Sequence, residues 1–283
     1  NDKGQAMNHR IFVGLVIFCA LNVLTSCKGA SGSDSAIMIG VQASPISLDP
    51  RIATDAEGDK IANLLCEGLF VKNEKLEAVP AIAEKYETLS DVSYRFYLRP
   101  DVKFYDGSVL TADDVVYTFK SVIDGTVTSP HRSSFEKIKD IVAESPTTVR
   151  IDLKEPYAPF LSVMLTRGIV SKKAAEANKD TFGRSPVCAG PYKVVRFVPD
   201  SVTVIESNPL YFGTPPTAKR LEFQVIKDDN IRVLKLIKGD IDIVQNAIPP
   251  MLVDSVLKNK DVLKMEDTGI VMSYMGFNLK HPW

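Results

Sequence analysis

From Ser93 onward apolar and polar residues alternate. Tyr94, Phe96 and Leu98 share one face of a half-buried strand, which continues through Val102-Lys103-Phe104-Tyr105 into a turn at Asp106-Gly107. The period then lengthens. Val115, Val116, Phe119, Val122 and Ile123 recur at helical spacing behind Thr111, a capping residue whose partner Asp114 stands at the third helical position. Upstream, the apolar run Ile37 to Val41 ends in the turn-rich Ser44-Pro45-Ile46-Ser47-Leu48-Asp49-Pro50, after which Ile61, Leu64, Leu65 and Leu69 keep helical spacing. That order predicts strand, loop, helix. Downstream, 149–153, 192–198, 202–206, 221–226 and 241–244 read as strands. A helix over 230–238 joins the last two, and a strand-helix-strand unit predicts a parallel pair with a right-handed crossover. The expected class is α/β.

The N-terminal pattern is different. An apolar run from Ile11 to Leu24 follows Met7 and the basic flank Asn8-His9-Arg10, and it falls short of the ~20 residues a spanning helix needs. It closes on Leu24-Thr25-Ser26-Cys27, which resembles the bacterial lipobox. The expectation is a lipoprotein signal peptide over 7–26, removed so that a lipid-bearing Cys27 anchors the protein to the membrane. Residues 1–6 read as an upstream extension, and the small, polar 27–35 as a flexible tether before a globule that begins near Ala36.

The chain has 283 residues, 45% of them hydrophobic and 24% charged, with a formal net charge of -1. That length supports a sizeable core, and the balance gives no electrostatic case for a nucleic-acid partner. With Cys19 leaving in the signal peptide and Cys27 lipidated, only Cys66 and Cys188 could oxidise in an exported compartment. Two separate buried thiols is the preferred reading, with a disulfide as the alternative. No G-x-S-x-G elbow, G-x-G-x-x-G turn or P-loop occurs, and signal removal leaves His131 and His281 too isolated for a histidine metal site. Asp113 and Asp114 point ~100° apart on a helix, so they favour its N-terminus instead of forming an acid/base pair. The expectation is a protein that is not an enzyme and needs no cofactor or metal; a hydrolase is the remote alternative.

Four blocks carry a family resemblance. They are Ser47-Leu48-Asp49-Pro50 with Glu67-Gly68-Leu69; Tyr94 to Pro100 with Val102 to Gly107 and Leu110 to Phe119; Ala189-Gly190-Pro191-Tyr192-Lys193-Val194 with Asn208 to Gly213; and Lys238 to Ile243 with Gly276 to Lys280. In order and spacing the chain resembles the family 5 solute-binding proteins of ABC importers, the oligopeptide- and dipeptide-binding group. The resemblance implies the type II periplasmic-binding-protein fold, two lobes around a cleft plus an extra subdomain. Members run to roughly twice this length, so only the N-terminal part is expected here. Lobe I would comprise 36–75 and 188–275, the inserted subdomain 76–187, and 276–283 the start of the crossing into a second lobe beyond Trp283.

The family also implies an exported monomer that captures a peptide or other small solute and hands it to an ABC permease with its ATPase subunits. Nickel chelates, haem, glutathione and oligosaccharides are alternative cargoes on the same scaffold, and a sensor is an alternative recipient. The ligand-facing candidates are Thr54, Asp55 and Ala56 after the Leu-Asp-Pro segment, His131 in a subdomain loop, Gln245 and Asn246 past the last strand, and Ser273, Tyr274 and Met275 near the crossing. Thr54 to Ala56 would bond an extended peptide's backbone as an added strand. Gly190-Pro191 is expected to set the backbone where the chain returns to lobe I.

Overall fold

The apolar run at Ile37–Val41 forms strand β1, and what it pairs with organises the first sheet. The structure, a computed structural model, describes residues 36–161 and 165–266. The signal peptide, the tether, Cys27, Ser273, Tyr274, Met275 and the Gly276 to Lys280 block lie outside the described residues. β1 runs parallel to β10 (Arg220–Val225) on one side and to β11 (Ile243–Val244) on the other. Strands β8 (Tyr192–Val198) and β9 (Val202–Ser207) extend the sheet as an antiparallel meander, giving the order β11-β1-β10-β9-β8. β10 and β11 are thus parallel, as their connecting helix predicts, but they are not a pair: β1 stands between them. Ile39 faces Phe223 on one side and Ile243 on the other. A local strand-helix-strand rule does not see a strand contributed by the distant start of the fold.

The second sheet is antiparallel, in the order β4 (Ala83–Ser90), β5 (Ser93–Leu98), β7 (Thr148–Leu153), β6 (Ile138–Ser145). A two-stranded ribbon of β2 (Phe70–Lys72) and β3 (Ala78–Pro80) precedes it. Its apolar face carries an aromatic cluster in which Phe96 lies 6.0 Å from Tyr86, 6.1 Å from Phe70 and 6.2 Å from Phe160. Such edge and stacked contacts add to the burial that each ring already contributes. Helix α2 (Ala112–Ile123) buries Val115, Phe119 and Val122 in this core. The predicted cap is present: the Thr111 N–H donates to Asp114 Oδ2 at 2.9 Å, while Asp114 Oδ1 accepts the Lys172 N–H at 2.9 Å. Asp114 therefore holds a helix start and the entry to α4 (Lys172–Ala177) together. The Asp106-Gly107 turn also forms, with Gly107 at φ 89°, a conformation that glycine adopts without steric cost.

A second core collects Leu48, Ile61, Leu65, Val170, Ile205 and their neighbours beneath the five-stranded sheet. Helix α1 (Ala56–Leu65) supplies Ile61 and Leu65 but stops before Leu69, which is buried beyond its end in the other core. The chain turns extended at Cys66, and Cys66 is bonded to Cys188 across a sequence separation of 122 residues, with Cα atoms 4.9 Å apart. The preferred reading of two separate thiols is corrected. Burial was rightly expected, but the Gly190 N–H donates to Leu65 O at 2.9 Å and draws the two cysteines side by side. A Cβ on Gly190 would lie 2.4 Å from Leu65 O, so this close approach requires glycine. Helix α5 (Asp229–Lys238) is capped by Asp228 and closed by Gly239; α3 (Arg132–Phe135) and α6 (Pro250–Leu257) complete the described helices, besides a single 3-10 turn at Phe182–Arg184.

Candidate ligand-binding site

Because β1, β10 and β11 are parallel, their carboxyl ends open on one edge of the sheet, where open α/β sheets bind ligands. The loops leaving that edge begin at Gln42, Ile226 and Gln245. Arg232, on α5 and buried, ties two of them: its Nη1 donates to Ile226 O at 2.6 Å and its Nε to Ala247 O at 3.0 Å, while Nη2 also reaches Asp229. Gln245 and Asn246 are exposed just before Ala247, Asn246 in the left-handed conformation at φ 53°. An open hollow of about 440 Å³ lies on the same edge, lined by Ser44, Pro45, Ile46, Arg184, Phe197 and Lys227 among others. Among the described residues, none of those expected to face ligand lines it.

The loop after β1 is rigid for a reason visible in its Leu-Asp-Pro segment. Asp49 and Arg51 are both buried and form a multidentate pair, Arg51 Nη2 to Asp49 Oδ2 at 2.7 Å and Nε to Oδ1 at 3.0 Å. The guanidinium also donates to Ser121 Oγ at 3.2 Å and lies 5.5 Å and 5.2 Å from the ring centres of Tyr117 and Phe182. The planar fork suits both contacts. Asp55 caps α1, accepting the Gly58 N–H at 2.8 Å on Oδ1 and the Ile46 N–H at 3.1 Å on Oδ2. Both of its oxygens are thus engaged in holding the loop, which leaves Thr54 and Ala56 as the exposed members of that trio.

His131 comes to the same loop from the other core. Its Nε2 lies 2.8 Å from Ala53 O, and Ser129 Oγ donates to Arg51 O at 2.5 Å. Arg167 completes the junction, with Nη2 3.3 Å from His131 Nδ1 and Nη1 2.9 Å from Asp59 Oδ1. The structure therefore brings His131 beside Thr54, while Gln245 and Asn246 stand at the end of a separate strand. Sequence reasoning missed Arg51, Arg167 and Arg232. Arg232 had a signal in Asp229, three residues before it on a helix; Arg167 had none, because its partners lie 36 and 108 residues away. The groups collected here are a hydroxyl, amides, an imidazole and charge, all able to hydrogen-bond a ligand.

Glu67, of the Glu-Gly-Leu block, is held above the usual carboxylate range by burial, partly offset by the Tyr211 hydroxyl donating to its Oε1 at 2.7 Å. The folded state then binds this proton more tightly than the unfolded chain. The destabilisation is absent below the ordinary carboxylate range and complete once pH has risen past the raised value. Glu67→Gln keeps an acceptor for Tyr211, so it is expected to melt higher than the parent at pH 8 and to lose that advantage at pH 4. Equal melting differences at both pH values would contradict the buried-carboxylate account.

Comparison with known proteins places this geometry. Residues 77–283 match the family described as bacterial extracellular solute-binding proteins, family 5 Middle. A probable di/tripeptide-binding protein 5 of Pseudomonas aeruginosa is 32% identical over 257 residues, covering 81% of this chain and 48% of the relative. The oligopeptide-binding protein AppA of Bacillus subtilis, solved with a nonapeptide, superposes with a TM-score of 0.75 at 25% identity, over 80% of this chain and 46% of that one. NikZ of Campylobacter jejuni, solved with Ni(L-His), does so with a TM-score of 0.73 at 26% identity, over 81% and 46%. The chain spans about half the length of the curated relatives it matches. Its mixed α/β fold is that of these binding proteins, and by the match over 77–283 the chain belongs to the bacterial extracellular solute-binding proteins of family 5.

Proposed function

We propose that this chain belongs to an extracytoplasmic receptor that captures peptides and delivers them to an ABC permease driven by its ATPase subunits. The observation that carries the reading is the likeness to AppA in complex with a nonapeptide, together with an exposed Thr54 and Ala56 on a loop stiffened from within. Stiffness matters because a preorganised loop loses little entropy when an extended backbone adds to it. The receptor is anchored through lipid on Cys27 and works as a monomer without catalysis. The family resemblance implies a division into lobe I, 36–75 and 188–275, and a subdomain, 76–187, whose bounds the two cores cross: Val170, Ala174, Ala175 and Phe182 pack with lobe I, while Leu69, Phe70 and Ala189 pack with the subdomain. Ligand held between this part and an opposing lobe would make its full set of contacts only in the closed state, so capture and closure are coupled.

Thermal melting of the full-length protein with a pool of di- to nonapeptides tests the reading. Ligand at a hundredfold excess over its Kd adds about 2.7 kcal/mol, so a rise of several degrees is expected. No rise with peptides, and a rise with Ni(L-His) or glutathione, would replace the cargo.

A further inference from the structure

The contacts around His131 admit one protonation pattern. A backbone carbonyl only accepts, so the ring nitrogen 2.8 Å from Ala53 O, Nε2, carries the hydrogen. A guanidinium only donates, so Nδ1, 3.3 Å from Arg167 Nη2, presents its lone pair. Both contacts fit the Nε2–H tautomer, Ala53 O by accepting that hydrogen and Arg167 by donating to the opposite nitrogen. Arg167 is in turn oriented by Asp59 on α1, at 2.9 Å. Among the described residues, Arg167 meets the ring directly with Asp59 behind it, and the chain neighbour Arg132 turns toward Glu136 at 3.9 Å. Three segments distant in sequence, 51–59, 129–131 and 165–167, are thereby fastened at one point.

We propose that Arg167 is a positioning residue for ligand capture: by holding neutral His131 against Ala53, it fixes the 129–131 loop and the Thr54 to Ala56 segment as one wall of the ligand site. This deepens the proposed function and rests on its reading that these two segments face ligand. Protonation of the ring would place an N–H on Nδ1 against the Arg167 guanidinium, so the junction opens in acid and capture weakens with it. Losing one such hydrogen bond corresponds to about a tenfold loss of affinity.

Two readouts on the full-length protein separate the parts of the claim. The ring nitrogen resonances of His131, assigned by their loss in His131→Gln, are expected to show the neutral Nε2–H tautomer at pH 7.5 in the parent. In Arg167→Met, which keeps the apolar stem and removes the donor, Ala53 O still holds the Nε2–H, and the Nδ1 resonance is expected to move because its lone pair has lost its partner. Affinity for the di- to nonapeptide pool should fall about tenfold from pH 7.5 to pH 5 in the parent. In His131→Gln, whose amide does not titrate, the ratio of the two affinities should be near one. An Nδ1–H or charged ring at pH 7.5, or an Arg167→Met protein with parental ring resonances, overturns the positioning role. So does the same pH ratio in parent and His131→Gln. If the ring behaves as expected but the pool binds neither protein, the peptide reading fails and the junction stands.

Discussion

Replacing Cys66 and Cys188 together by alanine is expected to lower the stability of the protein by about 4–5 kcal/mol. The cross-link closes a loop of 122 residues, and loop-closure entropy removed from the unfolded chain grows with the logarithm of that length. This is a large share of the ~5–15 kcal/mol that holds a typical domain together. Alanine is the right test because both positions are buried and a serine hydroxyl there would be left without a partner. The bond also fastens the point where the chain leaves α1 to the point where it enters β8, so the whole second sheet lies inside the closed loop. Urea unfolding of the parent and the double variant measures the difference directly. A loss below about 1 kcal/mol would show that the unfolded chain gains little freedom when the bond is absent.

Asp49→Ala is expected to cost about 3–5 kcal/mol, because it leaves the Arg51 guanidinium buried without its counter-charge. The pairing matters more than either residue. In Asp49→Ala/Arg51→Met the charge is removed along with its partner, and an apolar side chain can still pack between Tyr117 and Phe182, so most of the loss should be recovered. The two single variants and the double form a thermodynamic cycle in which the coupling is read from urea midpoints. A double variant as unstable as Asp49→Ala would mean that the loop depends on hydrogen bonds to Ser121 and the backbone, not on the ion pair.

Where burial alternates cleanly, the sequence carried the structure. Strand β5, helix α2 with its cap, and the turn at Gly107 follow from periodicity, whereas β9, buried continuously over Val202 to Ile205, follows from its apolar run. β4 was not legible, since only Ala83 of its eight residues is buried and it owes its existence to pairing with β5. The short α3, α4 and α6 lack enough turns for a period to emerge. The pairings with the longest reach were invisible for another reason. β1 inserts between β10 and β11 through contacts that no local window spans, and the Cys66–Cys188 bond, open in the sequence only as an alternative, is decided by the same kind of contact.

The candidate site divides along the same line. Resemblance led to Thr54, Asp55, Ala56 and His131, and the structure sets His131 against Ala53 next to Thr54. Asp55 is a helix cap whose oxygens are committed to Gly58 and Ile46. What sequence could not supply is the reach of the arginines: Arg51 and Arg232 have local partners in Asp49 and Asp229, but Ser121 at Arg51, Ala247 at Arg232 and both partners of Arg167 are brought together only on folding.

Mass spectrometry of the small molecules released when the full-length protein is purified and denatured tests the central claim most directly. The account predicts a ladder of mixed short peptides, the signature of a site that reads the backbone and tolerates many side chains. A single defined compound that is not a peptide, such as a metal chelate or a sugar, would contradict it.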